Sequence, residues 1–282
     1  MARVGGRPRN VTAGNGEEAG DLYVQALARG LSILALFDVE HPEWSLRDIA
    51  QHTGISKTTV YRMLRTLEAK GFLTFDPQTE LYHLGGAMIP VAYLSLSNVG
   101  FARSSHAFVE ELAHVTGETV ELAVEGEGGA VVVDQVATSH PFKPNLPLGR
   151  VLRNLANSAM KVLAAYRPEV EQERLLGRLR QVKLTPYTKT DPEAVRLELK
   201  RVAEEGLAYD LEEQDLGVCA VSAPVFGPSG DLRAVITVVA PAERFGGDDR
   251  QRLTTAVKSS ADALSRNLSR SSGSSPATVL TA

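Results

Sequence analysis

The residues best suited to chemistry lie in one stretch, Ser56-Lys57-Thr58-Thr59-Val60-Tyr61-Arg62-Met63-Leu64-Arg65. At a helical period Val60, Met63, Leu64 and Leu67 share an apolar face. Lys57, Thr58, Tyr61, Arg62 and Arg65 then fall on the opposite side. Small hydroxyls and a cation at the start, a phenol in the middle and guanidinium groups further on suit phosphates and base edges. Arg bonds guanine bidentately, while Ser, Thr, Tyr and Lys reach phosphate or bases. Ser56, Thr59 and, ahead of the preceding helix, Ser45 complete this candidate nucleic-acid set. From Ser56 to Lys70 the cations Lys57, Arg62, Arg65 and Lys70 face only Glu68. Nearby Asp38, Glu40, Glu43, Asp48, Asp76 and Glu80 offset them, so the basic strip is narrow. A net charge of −4 argues against indiscriminate coating of nucleic acid.

Other patterns promise less. Ser158-Ala159-Met160-Lys161 has the S-x-x-K spacing of a serine nucleophile and its lysine, but no S-D-N or K-T-G accompanies it. Gly126-Glu127-Gly128-Gly129 lacks the GK[ST] ending of a phosphate loop and reads as a hairpin turn. The histidines at 41, 52, 83, 106, 114 and 140 form no compact metal-binding spacing, so neither metal nor cofactor is expected. One cysteine, Cys219, excludes a disulfide framework and fits a reducing cytoplasm. No run of about twenty apolar residues is present, so no membrane span is expected. Arg3, Arg7 and Arg9 lack the apolar stretch of a secretory signal behind them.

Ser45 and Ser56 are N-cap candidates for two short helices, and Asp48 favours the positive end of the first. Thr53-Gly54-Ile55 makes the turn between them, and Gly71 stops the second helix. Runs at Phe72–Phe75 and Glu80–Leu84 flank the turn Asp76-Pro77-Gln78-Thr79, a hairpin or wing. Leu27, Leu31, Leu34 and Phe37 mark a supporting first helix, and Trp44 is a packing residue. The stretch after Gly86, with Met88, Ile89, Val91, Tyr93, Leu94 and Leu96, predicts a helix too apolar to stand in water, hence a dimer seam. A further helix carries Phe101, Phe108, Leu112 and Val115. Beyond Gly117, β-rich runs (ETVELAV, AVVVDQVA, LAYD, VCAVSAPVF, LRAVITVVA) alternate with helices from Asn157 or Ser158, over Pro168–Leu179, at PEAVRLELKRVAEE, and from Asp248 to about Leu268. This predicts an α+β domain with a largely antiparallel sheet. Residues 1–21 and 269–282 read as disordered tails, with a DNA-binding domain at 22–86, a linker helix at 87–105 and a second domain at 106–268.

SLRDIA, TGISKTTVYRMLRTLEAKGF and ELYHLGG together resemble the winged helix-turn-helix of the IclR family of bacterial transcription regulators. TGETVELAV, GLAYDLEEQDLGVCAVSAPVF and VVAPAERF are similar to that family's GAF-like effector domain. RNLANSAMK is a less faithful match: the Pro-Leu-His lead-in is absent and Met160 stands where Gly is usual. The resemblance implies a small acid or aromatic effector on one face of the sheet, its carboxylate at a helix N-terminus. Transferred by position, that start is Asn157, Ser158 and Ala159, facing Asp210, Ala220, Thr237 and Val239. Ala220 and Val239 are apolar where relatives offer sulfur or hydroxyl groups, so a bulkier or aromatic acid is expected. Cys219 falls one residue off the family's cysteine and should turn into the core. Asp210 has a plainer alternative as a loop cap, and Glu212, Glu213 and Asp215 read as a solvated acidic loop.

The function implied is transcriptional regulation by a homodimer, or dimer of dimers, on a roughly palindromic double-stranded operator. The recognition helix would enter the major groove, with the wing on the backbone or minor groove. The rivals are an architectural DNA binder without ligand and a Ser-x-x-Lys hydrolase.

Overall fold

The computed structural model describes residues 23–38, 41–98, 101–126, 129–140, 147–177 and 183–271. The expected tail at 1–21, residues 272–282 of the tail expected over 269–282, the tip of the Gly-rich turn, Pro141 and Pro144, and the end of the helix expected to reach Leu179 lie outside these. The chain divides into two compact units, one up to Ser95 and one from Leu96.

The first unit contains α1 (Gln25–Leu34), β1 (Glu43–Ser45), α2 (Leu46–Thr53), α3 (Lys57–Ala69), β2 (Leu73–Asp76), β3 (Leu81–Leu84) and the start of α4 (Met88–Asn98). Ser45 caps α2 by accepting from the Asp48 backbone N–H at 3.1 Å, and its hydroxyl donates to Asp48 Oδ2 at 2.7 Å. Gly54 closes α2 at φ 69°, its N–H returning to the Ala50 carbonyl, in the left-handed region glycine tolerates. Thr53 donates to the Ile49 carbonyl and accepts from the Ile55 N–H, so the turn is fixed from both sides. Ile33, Ile49, Val60, Leu64 and Leu73 form the core.

Two expectations change here. α1 buries Ile33, and the turn after it Leu36 and Phe37, while Leu27 and Leu31 stay exposed, at 61% and 57%. The apolar residues of α1 are too many for one face, and the packing of α2 and α3 chose the C-terminal ones. The connector through Trp44 also forms β1, which pairs with β3, so the wing sheet has three strands in the order β1-β3-β2. Trp44 packs as expected, donating from Nε1 to the Leu36 carbonyl at 3.1 Å.

The second unit is built on a six-stranded antiparallel sheet in the order β6-β5-β4-β9-β8-β7. Its strands are β4 (Thr119–Gly126), β5 (Gly129–Val136), β6 (Val151–Leu152), β7 (Ala208–Leu211), β8 (Val218–Phe226) and β9 (Leu232–Pro241). α5 (Phe101–Thr116) and α9 (Gly247–Ser271) pack on one face, over Val120, Leu122, Cys219, Val221, Ile236 and Val238. α6 (Ser158–Ala165), α7 (Glu169–Leu176) and α8 (Pro192–Glu205) cover the other. α9 continues three residues past the expected end at Leu268. In α5 Val109, Leu112 and Ala113 are buried, Phe108 is half-buried, and Val115 is exposed rather than packed.

Every residue of α6 is buried, Lys161 included. A buried ammonium is costly unless each donor is met. Lys161 Nζ donates to Glu213 Oε1 at 2.5 Å, the Tyr209 carbonyl at 2.7 Å and Glu198 Oε1 at 3.1 Å. Lys189 closes the cluster, reaching Glu198 at 2.8 Å and Glu213 at 3.2 Å, so two cations face two carboxylates. Burial opposes charge on Glu198, but Lys161 and Lys189 outweigh it and hold its carboxyl below the usual range. The acidic loop is therefore not simply solvated. Glu213 is 2% exposed, and Thr185 and Thr188 donate to the Glu212 and Glu213 carbonyls. Glu212 accepts from the Gly217 N–H, and Asp215 stays exposed.

Lys161→Met should leave Glu213 and Glu198 short of their partner in a dry interior. Urea denaturation is expected to show a loss of roughly 3–5 kcal/mol. An exposed control, Lys200→Met, should move stability by less than about 0.5 kcal/mol.

Candidate nucleic-acid interface and ligand-binding face

α3 sorts its side chains as its periodicity requires. Val60 and Leu64 are fully buried, with Met63 and Leu67 partly so. Lys57, Thr58, Tyr61, Arg62 and Arg65 are exposed together. Ser56 caps the helix, accepting from the Thr59 N–H at 3.4 Å, and its hydroxyl lies 2.9 Å from that of Thr59. Thr59 is thus a half-buried member of the cap, on the flank of the exposed face. Arg65 pairs with Glu68 at 2.7 Å, but its side chain is 57% exposed. A surface pair of this kind is worth at most about 1 kcal/mol and yields readily to phosphate. Ser45, half-buried, is engaged in its own cap. Next to α3, Asp76 accepts from the Gln78 N–H and the Thr79 hydroxyl, which tie the wing turn and draw its carboxyl below the ordinary range.

On the sheet of the second unit, strand register decides which predicted ligand residues meet. Val239 lies opposite Thr119 and Ala220, and Ala220 opposite Asp210. Residues paired across antiparallel strands share a face. Thr119, Val239, Ala220 and Asp210 thus form one row beneath α6. The adjacent row runs Gln135, Glu121, Thr237, Ser222, each opposite the next. Asn157 caps α6, accepting from the Ala159 N–H at 2.9 Å. Ser222 donates to the Ser158 hydroxyl at 2.7 Å and lies 2.8 Å from that of Thr237. A hydroxyl has one proton, so the chain runs Thr237 to Ser222 to Ser158.

Thr119, Gln135, Ser222, Glu121 and Arg150 of this face escaped the sequence reading. Ser222 was available from alternation, since it lies two residues beyond Ala220 on the same strand. Glu121 alternates with Val120 and Leu122, which ordinarily signals solvent. Here α6 covers that side, and Glu121 is 3% exposed. Arg150 reaches Glu121 from just before β6, a strand too short to predict.

Asp210 is 3% exposed, and its Oδ1 accepts from the Glu213 and Gln214 N–H groups at 2.8 and 3.3 Å. It is a loop cap at the end of the row that holds Ala220 and Val239. Burial pushes its pKa up to about 7, although those N–H groups and Lys161 oppose the shift. Cys219 points into the opposite core, and burial raises its thiol to about 11. Lys161 turns toward α8 and β7 with its amine donating to three acceptors, so Ser158 and Lys161 share no hydrogen bond.

Comparison with known proteins places this geometry. Residues 26–77 match the IclR helix-turn-helix domain, and residues 93–266 match the C-terminal domain of the bacterial transcriptional regulator IclR. The chain belongs to the IclR family. This IclR-type transcriptional regulator is 30% identical over 264 residues to the HTH-type transcriptional regulator BhcR of Paracoccus denitrificans, covering 93% of this chain and 94% of that one. It is 33% identical over 228 residues to the HTH-type transcriptional regulator Rv1719 of Mycobacterium tuberculosis, covering 81% and 86%. The crystal structure of an IclR transcriptional regulator from Alicyclobacillus acidocaldarius matches with a TM-score of 0.75 at 26% identity, covering 86% and 98%. No helix among the described residues of this family member is long and apolar enough to cross a membrane.

Because the Asp210 pKa is raised in the folded chain, the folded state holds its proton more tightly than the unfolded one. That contribution is complete below the unfolded value of 3.8 and is lost as pH rises toward about 7. Asp210→Asn keeps an acceptor for the two N–H groups and removes the titration. The melting temperature of the variant relative to wild type is expected to rise between pH 5 and pH 8. A pH-independent difference would count against a buried, proton-holding Asp210.

Proposed function

We propose that this regulator binds a specific, roughly palindromic double-stranded DNA site as a homodimer or dimer of dimers, and that a small organic acid on the sheet face beneath α6 alters its grip. The observation that carries the DNA half is the joint exposure of Lys57, Thr58, Tyr61, Arg62 and Arg65 on a helix whose other face packs Val60 and Leu64 into the core. Arg62 and Arg65 are the base readers in this reading. Lys57, Thr58, Ser56 and Ser45 take phosphates from the helix starts, where the dipole favours anions. The wing of β2 and β3 lies along the backbone or minor groove. The α4 side chains of Ile89, Val91 and Leu94 are more than half exposed, an apolar surface that supports a seam between two copies.

The ligand half rests on Asn157, Ser158 and Ala159 at the start of α6 above Thr237, Val239, Ala220 and Asp210. The first turn of α6 takes the carboxylate, and Ala220 and Val239 take the apolar body of an aromatic or otherwise bulky acid. A purely architectural role would leave this buried hydroxyl chain unused. A Ser-x-x-Lys hydrolase is disfavoured, because a lysine acting as base needs a free amine lone pair directed at the serine, and Lys161 points elsewhere. Regulation requires the acid to bind the two DNA-affinity states unequally, and a coupling of about 1–3 kcal/mol suffices.

Selection of bound fragments from a genomic DNA library, followed by gel shifts, tests the reading. Arg62→Ala should cost about 1–3 kcal/mol and relax one base position. Lys57→Ala should weaken all sequences alike and flatten the salt dependence by about one unit. Aromatic acids should shift operator affinity where glyoxylate and pyruvate do not. An unchanged Arg62→Ala footprint removes Arg62 from the reading set, and the reverse ligand preference overturns the bulky-acid assignment.

A further inference from the structure

The row of Gln135, Glu121, Thr237 and Ser222 carries a charged pair that a ligand of carboxylate and apolar body alone does not need. Glu121 sits on β4, and Arg150 reaches over β5 to meet it. One nitrogen, Arg150 Nη2, donates to both Glu121 oxygens at 2.9 Å. Gln135 adds a bond from Nε2 to Oε1 at 3.1 Å. Two facts about this pair are left over. Arg150 Nε is buried and has no hydrogen-bond partner among the described residues. Glu121 Oε1 accepts twice while Oε2 accepts once, so Oε2 keeps acceptor capacity. Nε and Nη2 lie on the same edge of the planar guanidinium, so a group accepting from Nε lies beside the carboxylate held on Nη2.

The pair has no net charge. A second carboxylate placed there would meet Glu121, and a second cation would meet Arg150. A neutral group that both donates and accepts satisfies the two remaining demands at once, and a hydroxyl does so with a single oxygen. The strand order gives its distance from the other end of the site. Glu121 is separated from Ser222 by β9, so two strand spacings, or roughly 10 Å, lie between them. Ser222 is hydrogen-bonded to Ser158 at the start of α6. The side chain between them in the row is Thr237, which is short.

We infer that Arg150 and Glu121 are specificity-determining residues for the effector, selecting an organic acid that carries a hydroxyl group some 6–9 Å from its carboxylate, about two strand spacings less the reach of the binding groups. The carboxylate lies at the first turn of α6, and the hydroxyl accepts from Arg150 Nε and donates to Glu121 Oε2. This deepens the proposed function and rests on its placement of the carboxylate. The contribution of the pair is a difference between two acids, not the binding of either alone.

Calorimetry on the full chain with matched pairs tests it: 4-hydroxyphenylacetate against phenylacetate, and 6-hydroxyhexanoate against hexanoate. The hydroxy acid of at least one pair should bind wild type about tenfold or more tighter, the value of a hydrogen bond to charged groups. Arg150→Lys keeps the ion pair with Glu121 but lacks the Nε–H, and Glu121→Gln keeps the shape. Each should bring the ratio of the two affinities toward one while leaving the parent acid within a fewfold of wild type. A structural staple alone would change stability and both affinities together, leaving the ratio intact. Equal affinity for both members of each pair in wild type, no binding of any of them, or a ratio unchanged in both variants overturns the inference. Gel shifts with the selected DNA run alongside separate this from failure of the regulator reading: DNA binding persists when only the hydroxyl assignment is wrong.

Discussion

The buried ammonium of Lys161 is the constraint on which the sheet face beneath α6 depends. Three acceptors from β7, the loop after it and α8 converge on one nitrogen on a helix with no exposed residue. Such an arrangement does not stabilise the fold more than a well-packed apolar core of the same volume would. What it does is restrict alternatives. If α6 slid by a residue or rotated by a fraction of a turn, the ammonium would lose all three acceptors in a dry interior, and Glu198 and Glu213 would be left with Lys189 alone. The register that satisfies Lys161 is the one that brings Ser158, one helical turn earlier, onto Ser222.

The same economy governs the sheet. Its two faces are both covered, so every residue of its central strands is committed to one core or the other. The face under α5 and α9 is largely apolar and includes Cys219, with Asp134 at its edge meeting His106 of α5. The face under α6 mixes Ala123, Val132 and Val235 with a row of polar groups that satisfy one another: Thr237 and Ser222 through hydroxyls, Glu121 and Arg150 through charge. Polar groups buried in this number need partners in the protein or in a ligand. Among the described residues, Arg150 Nε is the one buried donor along that row left without a partner.

In the first unit the constraint is of another kind. α3 is held by its caps and by a small core, and its outward face is left to water. Ser45, Thr53, Gly54 and Ser56 each fix a chain reversal by a local bond, so the geometry between α2 and α3 hardly depends on distant contacts. That suits a surface which must match a rigid partner such as a DNA groove, where a shift of a fraction of an ångström moves an Arg off its base.

This difference explains what was legible in advance. Local rules sufficed for the winged helix-turn-helix: the caps, the left-handed glycine and the apolar stripe with Val60 and Leu64 each need only a few neighbouring residues. The helix start at Asn157 and the inward turn of Cys219 likewise follow from capping and strand alternation. Tertiary structure decided the rest. Alternation says that Glu121 and Asp210 share a side with other polar residues, but not that a helix lies over that side and turns it from surface into interior. Glu213 looks solvated within its own loop, and only contacts across more than fifty residues of chain, to Lys161, make it a buried counter-charge. The choice between Leu27 and Ile33 as the packed residue of α1 depends on the shapes of α2 and α3, which no periodicity within α1 encodes. Sequence fixes the propensities of each segment, and long-range packing sets the dielectric in which their charges operate.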